Sequence, residues 1–510
     1  MQLVEVLRGA SEQFPDRVAM IFRDQPLTFA QIESKANRMA NRLIELGIQK
    51  DDKVGLMMPN LPDFAIAYYG ILAAGASVVP LNVMYRPREV AYIMNDSEAK
   101  ALITIEPFLP VVLEAQASVP SLKQVIAKGQ EKIPNVHNLD ALLADAPDKR
   151  VNVPVDADDT AIICYTSGTT GNPKGAMLSH RNLLANLDQV LACQRTDIRP
   201  GDVGLVVLPL FHIYGMNMVL NLGTKLGLSA VVMERFETEK AFELIQKYRV
   251  TVFAGAPPMF VAMINHPDIK KYDLSSLRTV SSGAASLPVQ VMETFQKLTG
   301  VEIMEGYGLT ETSPTLASNG AGPVSKPGSV GPAIPGVEVR IVDDQDRDVP
   351  IGEPGEIICR GENVMKGYYK RPQESAEALK GGWFHTGDIG KLDEDGYIYI
   401  VDRKKEMVNV SGFNVYPREI EEVLYRHPKV MDAAVIGVPD SYQGESVMAV
   451  IALKPGETAE EKEFADYCRQ NLAAFKAPRY FRFQEALPKL ITGKILKREL
   501  REDILKNWPK

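Results

Sequence analysis

The stretch at 165–175, Tyr-Thr-Ser-Gly-Thr-Thr-Gly-Asn-Pro-Lys-Gly, constrains this chain more than any other. It follows an apolar, β-branched run at 160–164, Thr-Ala-Ile-Ile-Cys, that reads as a buried strand. Three Gly and four Ser/Thr hydroxyls are gathered into a loop that ends at a single Lys. Gly168 and Gly171 let backbone N–H groups approach an anion closely, Thr166, Ser167, Thr169 and Thr170 donate further hydrogen bonds, and Lys174 adds a mobile positive charge. That combination suits a polyphosphate. The nucleotide P-loop pattern G-x-x-x-x-G-K-[ST] is not met: counting from Gly168, Pro173 stands where the second Gly belongs, and Gly175 follows the Lys. A surface hairpin uses the same turn chemistry, so this stretch alone leaves both readings open.

At 510 residues the chain exceeds one core, and at roughly 100–200 residues per domain it divides into three or four units. With 45% hydrophobic and 24% charged residues it is an ordinary globular sequence rather than a disordered one. The net charge of −8 is spread along the chain with no basic face, which argues against a nucleic-acid partner. Cys164, Cys193, Cys359 and Cys468 are far apart, which points to buried thiols in a reducing compartment, and the six His show no zinc spacing. The N-terminus reads as an amphipathic helix without a signal-peptide core. The most apolar region, 203–233, is broken by His212, Asn217, Asn221 and Lys225 and is too polar to span a membrane. A cytoplasmic location is expected, with peripheral membrane contact left open.

From residue 1 to about 160, helical and strand-like patterns alternate. Thr28 caps a helix ahead of 29–34, 54–58 reads as a strand, 62–74 as a helix and 77–81 as a strand. The rhythm of a mostly parallel α/β sheet continues through 203–208, 230–233, 250–254 and 279–283. After about 326, Gly and Pro become frequent and short β-rich runs suggest a small barrel or sandwich. A charged run at 402–406, Asp-Arg-Lys-Lys-Glu, marks a boundary, and a compact α+β pattern follows it. We therefore expect a large unit at 1–401, a hinge at 402–405 and a small unit at 406–510.

Several short motifs carry chemistry beside the loop. At 305–311, Glu-Gly-Tyr-Gly-Leu-Thr-Glu, Gly306 and Gly308 bracket Tyr307 so that its ring can lie on a flat ligand; Thr310 and Glu311 then offer a hydroxyl and a carboxylate. A carboxylate beside phosphates makes sense with Mg²⁺ between them. At 383–388, Trp-Phe-His-Thr-Gly-Asp, the carboxylate of Asp388 could accept two ribose hydroxyls or simply form a turn. His212 lies in 208–215, Leu-Pro-Leu-Phe-His-Ile-Tyr-Gly, where a lone His is often structural. Lys494 ends 487–494, Leu-Pro-Lys-Leu-Ile-Thr-Gly-Lys, ahead of a helix at 495–504.

In this order and spacing, these motifs resemble those of the adenylate-forming enzymes: acyl-CoA synthetases, adenylation domains of peptide synthetases and firefly-type luciferases. The resemblance covers nearly the whole chain. It is nearest to bacterial medium- or long-chain fatty-acid–CoA ligases, through 208–215 and 410–421. It implies an α/β fold: a large N-terminal domain of two α/β sheet subdomains plus a small β-barrel, and a small mobile α+β C-terminal domain.

The implied reaction joins a carboxylic acid to ATP, releases pyrophosphate, and lets the coenzyme A thiol displace AMP. By resemblance, 166–174 binds the β- and γ-phosphates; Ser282, Gly283, Ala284 and Ala285 with Tyr307 form the adenine slot; Thr310 meets the α-phosphate; and Glu311 takes Mg²⁺. Asp388 and Arg403 match the ribose contacts, Lys494 the lysine bridging carboxylate and α-phosphate, and Lys405 the hinge. Ser411 and Gly412 match the pantetheine path, and His212 the mouth between acyl and thiol sites. The acyl pocket is expected from Tyr214, Met216, Asn217, 233–236, Met259, Ser282 and 306–309, including Leu309.

Asn409 stands where luciferases carry Lys, which argues against light emission. No carrier domain follows Lys510, which weakens a peptide-synthetase reading. Arg235, if buried, would favour a dicarboxylate such as malonate; if exposed, it caps a surface strand. The sequence Phe-His-Ile-Tyr at 211–214 also resembles plant coumarate–CoA ligases. A stand-alone adenylation enzyme loading a carrier protein stays open, as does a monomer or homodimer.

Overall fold

The computed structural model describes residues 1–130, 133–166, 173–404, 406–410, 413–440, 444–489, 495–506 and 508. Thr28 caps the helix Phe29–Glu45 through a reciprocal box with Gln31, at 3.2 Å and 2.9 Å; such a cap stabilises a helix by about 1 kcal/mol. The apolar stripe of this helix, including Ile32, Ala36, Met39 and Leu43, packs on the helix Pro62–Ala73. The latter is apolar on every side and buried throughout except Asp63, as a helix enclosed in a large core must be.

Two eight-stranded sheets form the large N-terminal domain. In spatial order the first runs Gly367–Tyr368, Lys174–Ser179, Thr160–Thr166, Ser77–Pro80, Lys53–Met57, Ala101–Ile105, Gln124–Lys128, His137–Asn138. The second runs Thr315–Ser318, Ile303–Gly308, Thr279–Ser282, Val252–Gly255, Val203–Val206, Ser229–Val232, Val18–Phe22, Gln25–Thr28. Both are parallel in the middle and antiparallel at an edge. The strands expected at 54–58, 77–81, 160–164, 203–208, 230–233, 250–254 and 279–283 fall within two residues of those observed.

The β-rich segment forms a four-stranded antiparallel sheet, Val337–Val342, Gly355–Gly361, Phe384–Leu392, Ile398–Arg403. Among the described residues its outer strands do not pair with each other, so in place of the expected small barrel there is an open sheet. The small C-terminal domain carries a sheet led by the long antiparallel pair Val430–Asp440 and Gly444–Leu453, with the helix Pro417–Tyr425 against it. Among the described residues no helix is long and apolar enough to cross a membrane.

Candidate active site

In open α/β sheets, ligands gather beyond the carboxyl ends of parallel strands. In the second sheet, Thr279–Ser282 and Ile303–Gly308 end side by side, delivering 283–285 and 306–311 to one place. Ser282 is buried, and Ala284 adopts a left-handed backbone with φ of 70°. A Cβ on Gly283 would lie 3.0 Å from the Tyr214 ring, and one on Gly308 would strike the Pro314 carbonyl. The Tyr307 hydroxyl donates to Asp388 Oδ2 at 2.6 Å, and Arg403 Nε meets Asp388 Oδ1 at 3.1 Å. Asp388 and Arg403 are direct partners across two strands of the small sheet, so their meeting is a matter of register. Tyr307 reaches them from a different sheet. Three expected nucleoside residues therefore converge.

The loop strand Thr160–Thr166 turns back into Lys174–Ser179 as an antiparallel hairpin, with Thr166 opposite Lys174. Ser167, Gly168, Thr169, Thr170 and Gly171 lie outside the described residues. Lys174 Nζ sits 5.2 Å from the centroid of the Tyr368 ring, and the Tyr368 hydroxyl donates to Glu311 Oε1 at 3.0 Å. The segment 365–369 stitches these pieces together: Met365 N donates to the Glu311 carbonyl at 2.8 Å and Tyr369 N to the Gly175 carbonyl at 2.8 Å. Tyr368 carried no signal in the sequence beyond a tyrosine pair after a glycine.

Thr310 and Glu311 share a short 3₁₀ turn, and Glu311 is buried. Burial pushes its carboxyl toward the neutral form, which a cation alongside would reverse. Among the described residues no cluster of three or more His, Cys, Asp or Glu could hold a metal. One buried carboxylate fits Mg²⁺, an ion usually held by one or two carboxylates together with substrate phosphates.

The expected acyl residues divide between two cores. Tyr214 and Met259 pack in one, with the Tyr214 hydroxyl 3.3 Å from Ser281 Oγ; Met216 and Leu309 pack in the other. Asn217 is fully buried, and its amide donates to the Ser313 carbonyl at 2.6 Å and the Leu183 carbonyl at 3.2 Å, which makes it a structural tie. His212 is half-buried, and its Nδ1 accepts from Tyr214 N at 3.3 Å. Arg235 points to solvent, its side chain 84% exposed and paired with Glu237.

Tyr214–Asn221 is π-helical, and one turn beyond Tyr214 its Met218 borders an apolar cavity of about 60 Å³. Val219, Leu222, Gly204, Val252 and Ala254 also line it, and no charged residue does. The sequence offered only an interrupted apolar run here.

At the junction with the C-terminal domain, Asp402 accepts from Arg418 N at 2.9 Å, and Arg418 Nη1 donates to the Ile400 carbonyl at 2.7 Å. Lys497 pairs with Glu421 at 2.8 Å and Glu406 at 3.4 Å. Burial disfavours its charge, yet Glu421, Asp402 and Glu406 outweigh this and raise its pKa. Lys405, Ser411, Gly412 and Lys494 lie outside the described residues. Glu305, passed over in the sequence, is buried, with Oε2 unpartnered among the described residues and Oε1 accepting from Leu287 N at 3.1 Å. Burial pushes its carboxyl up to about 7.

Residues 7–369 match the AMP-binding enzyme family and residues 419–494 its C-terminal domain. The chain is 37% identical to the long-chain-fatty-acid–CoA ligase of Bacillus subtilis (strain 168), over 99% of this chain and 95% of that one. It superposes on the anthranilate CoA ligase AuaEII in complex with anthranoyl-AMP with a TM-score of 0.94 at 30% identity, covering 99% and 98% of the two chains. Against ATP-bound MatB from Rhodopseudomonas palustris the TM-score is 0.91 at 32% identity, covering 99% of each. The chain belongs to the AMP-binding, adenylate-forming enzyme family and is an acid–thiol ligase that binds ATP and joins an acid to coenzyme A through an acyl-adenylate.

Proposed function

We propose that the acid is a medium- or long-chain fatty acid. The observation that carries this reading is the uncharged cavity one turn beyond Tyr214. None of the expected acyl residues lines this cavity, but an alkyl chain that reached it from the Tyr214 side would lose its water there, and each buried methylene contributes about 0.8 kcal/mol. A second carboxylate would enter the same space unpaired, at a cost of several kcal/mol. The exposure of Arg235 removes the partner that a dicarboxylate would need. The full-length likeness to a long-chain-fatty-acid–CoA ligase supports the same assignment.

In this reading Tyr307 stacks on adenine, with its hydroxyl held by Asp388. Asp388 and Arg403 face the ribose, while Gly306, Gly308 and 282–285 shape the slot. The loop 166–174 takes the β- and γ-phosphates, and Thr310 the α-phosphate. Glu311 would hold the Mg²⁺ that accompanies ATP, which when bound neutralises charge on the phosphate oxygens. Lys494 bridges the carboxylate and the α-phosphate, so that the carboxylate oxygen forms a bond to phosphorus as pyrophosphate leaves. Rotation about Lys405 then withdraws Lys494, coenzyme A enters past Ser411 and Gly412 with His212 at the mouth, and its thiol displaces AMP.

The test is pyrophosphate release with ATP, Mg²⁺ and coenzyme A across acetate, malonate, octanoate, palmitate, benzoate and coumarate. An optimum among the straight-chain acids is expected. Preference for malonate or coumarate would overturn the fatty-acid assignment and leave the two-step chemistry in place.

A further inference from the structure

Both ends of the loop at 165–175 are tied to one helix. Tyr165 and Gly175 pair across the hairpin, and a Cβ on Gly175 would lie only 3.1 Å from Tyr165 Cζ, so the ring lies over the glycine. Beyond it, the Tyr165 hydroxyl donates to Asp96 Oδ2 at 2.7 Å. At the other end the Pro173 carbonyl accepts from the Tyr92 hydroxyl at 3.0 Å. Tyr92 and Asp96 are four residues apart on the helix Pro87–Ser97 and share its face. Arg371 closes the group, donating to Asp96 Oδ1 at 2.9 Å and reaching the Tyr92 hydroxyl at 3.5 Å.

The Asp96 side chain is only 12% exposed. A carboxylate so placed is costly unless its oxygens are used, and here one takes Tyr165 and the other Arg371. We propose that Tyr92, Asp96 and Arg371 are positioning residues that brace the polyphosphate loop at both ends and set its approach to the β- and γ-phosphates of ATP. Holding both ends fixes where the chain enters and leaves the loop before ATP arrives, so the brace acts through preorganisation. The inference rests on the reading of 166–174 as the phosphate binder.

That role is selective. Pyrophosphate has left before coenzyme A reacts, so the brace serves the first half-reaction only.

The test uses the full chain, with ATP–pyrophosphate exchange measured across ATP concentrations and thioester formation measured from supplied acyl-AMP. Asp96→Asn is expected to raise KM for ATP roughly tenfold, the loss typical of a hydrogen bond to a charged group. Tyr92→Phe, which removes one hydroxyl and keeps the ring, is expected to raise it roughly threefold. KM for the acid and the rate from acyl-AMP should stay within about twofold of the parent, since a general structural defect would lower both half-reactions together. Equal loss in both half-reactions, or an unmoved KM for ATP in both variants, overturns the brace. Lys174→Ala separates this from the reading beneath it. If that variant raises KM for ATP and the brace variants do not, the brace alone fails; if Lys174→Ala changes nothing, the phosphate reading of the loop fails and the brace with it.

Discussion

Glu305 shows how one buried side chain ties the candidate site to stability. Unfolded, its carboxyl titrates near 4.5; folded, burial moves it to about 7. Between those values the folded chain holds a proton that the unfolded chain has released, so stability falls as pH rises through the window and stays lower above it. The loss is on the order of 3 kcal/mol. Glu305→Gln removes the titration, so its thermal midpoint should drop less than the parent's between about pH 5 and about pH 8. Parallel pH dependence in the two proteins would exclude Glu305 as the source. Lys494 calls for a kinetic test. In the proposed role it bridges two anions in the first transition state only, so Lys494→Ala should lower acyl-adenylate formation by about 10²–10³ and spare thioester formation from supplied acyl-AMP. Equal loss in both steps would refute the role.

The π-helical segment Tyr214–Asn221 packs into both cores beside the proposed acyl site. A Cβ on Gly215 would lie 2.3 Å from the Pro209 carbonyl, so the segment starts by pressing its backbone onto the preceding turn. A turn later, Met218 and Val219 line the cavity together with Gly204 of the strand Val203–Val206. A Cβ on Gly204 has nothing nearer than the Val252 carbonyl at 4.0 Å, so a side chain can start there without collision, and the methyls of a valine would take up cavity space. Excluding two methylenes costs about 1.6 kcal/mol, or roughly tenfold in kcat/KM. Gly204→Val should therefore favour shorter acids by about that factor, measured as kcat/KM for octanoate against palmitate. An unchanged ratio would place the alkyl tail elsewhere.

Between the two domains, Asp402 on one side of residue 405 and Glu406 on the other both belong to the cluster with Arg418, Glu421 and Lys497. The proposed rotation about 405 would rearrange that cluster, because its members stand on both sides of that residue. Proline locks φ and cannot follow a large dihedral change. Lys405→Pro is thus expected to keep ATP–pyrophosphate exchange and lose thioester formation from supplied acyl-AMP. A normal thioester rate in that variant would remove the hinge from residue 405.

What could be read along the chain was local. Thr28 announced its helix because a cap and its partner are three residues apart; the Gly and Thr of 165–175 announced a turn; and alternating apolar runs announced the parallel strands. The order of short motifs then pointed to the family. The hairpin itself, with Thr166 against Lys174, depended on which strand lay alongside, and the open sheet at 337–403 on whether its outer strands could meet. The ties from Asp96 to Tyr165 and Arg371, from Tyr368 to Glu311, and from Tyr307 to Asp388 join residues 57 to 275 positions apart. No periodicity or turn signal encodes such pairs, because they exist only once separate sheets have packed. The same holds for the burial that moves Glu305 and for the cavity beside Met218, which belong to the space between elements. Short-range chemistry chose the elements and the kind of ligand, and packing of the sheets decided which side chains share the site.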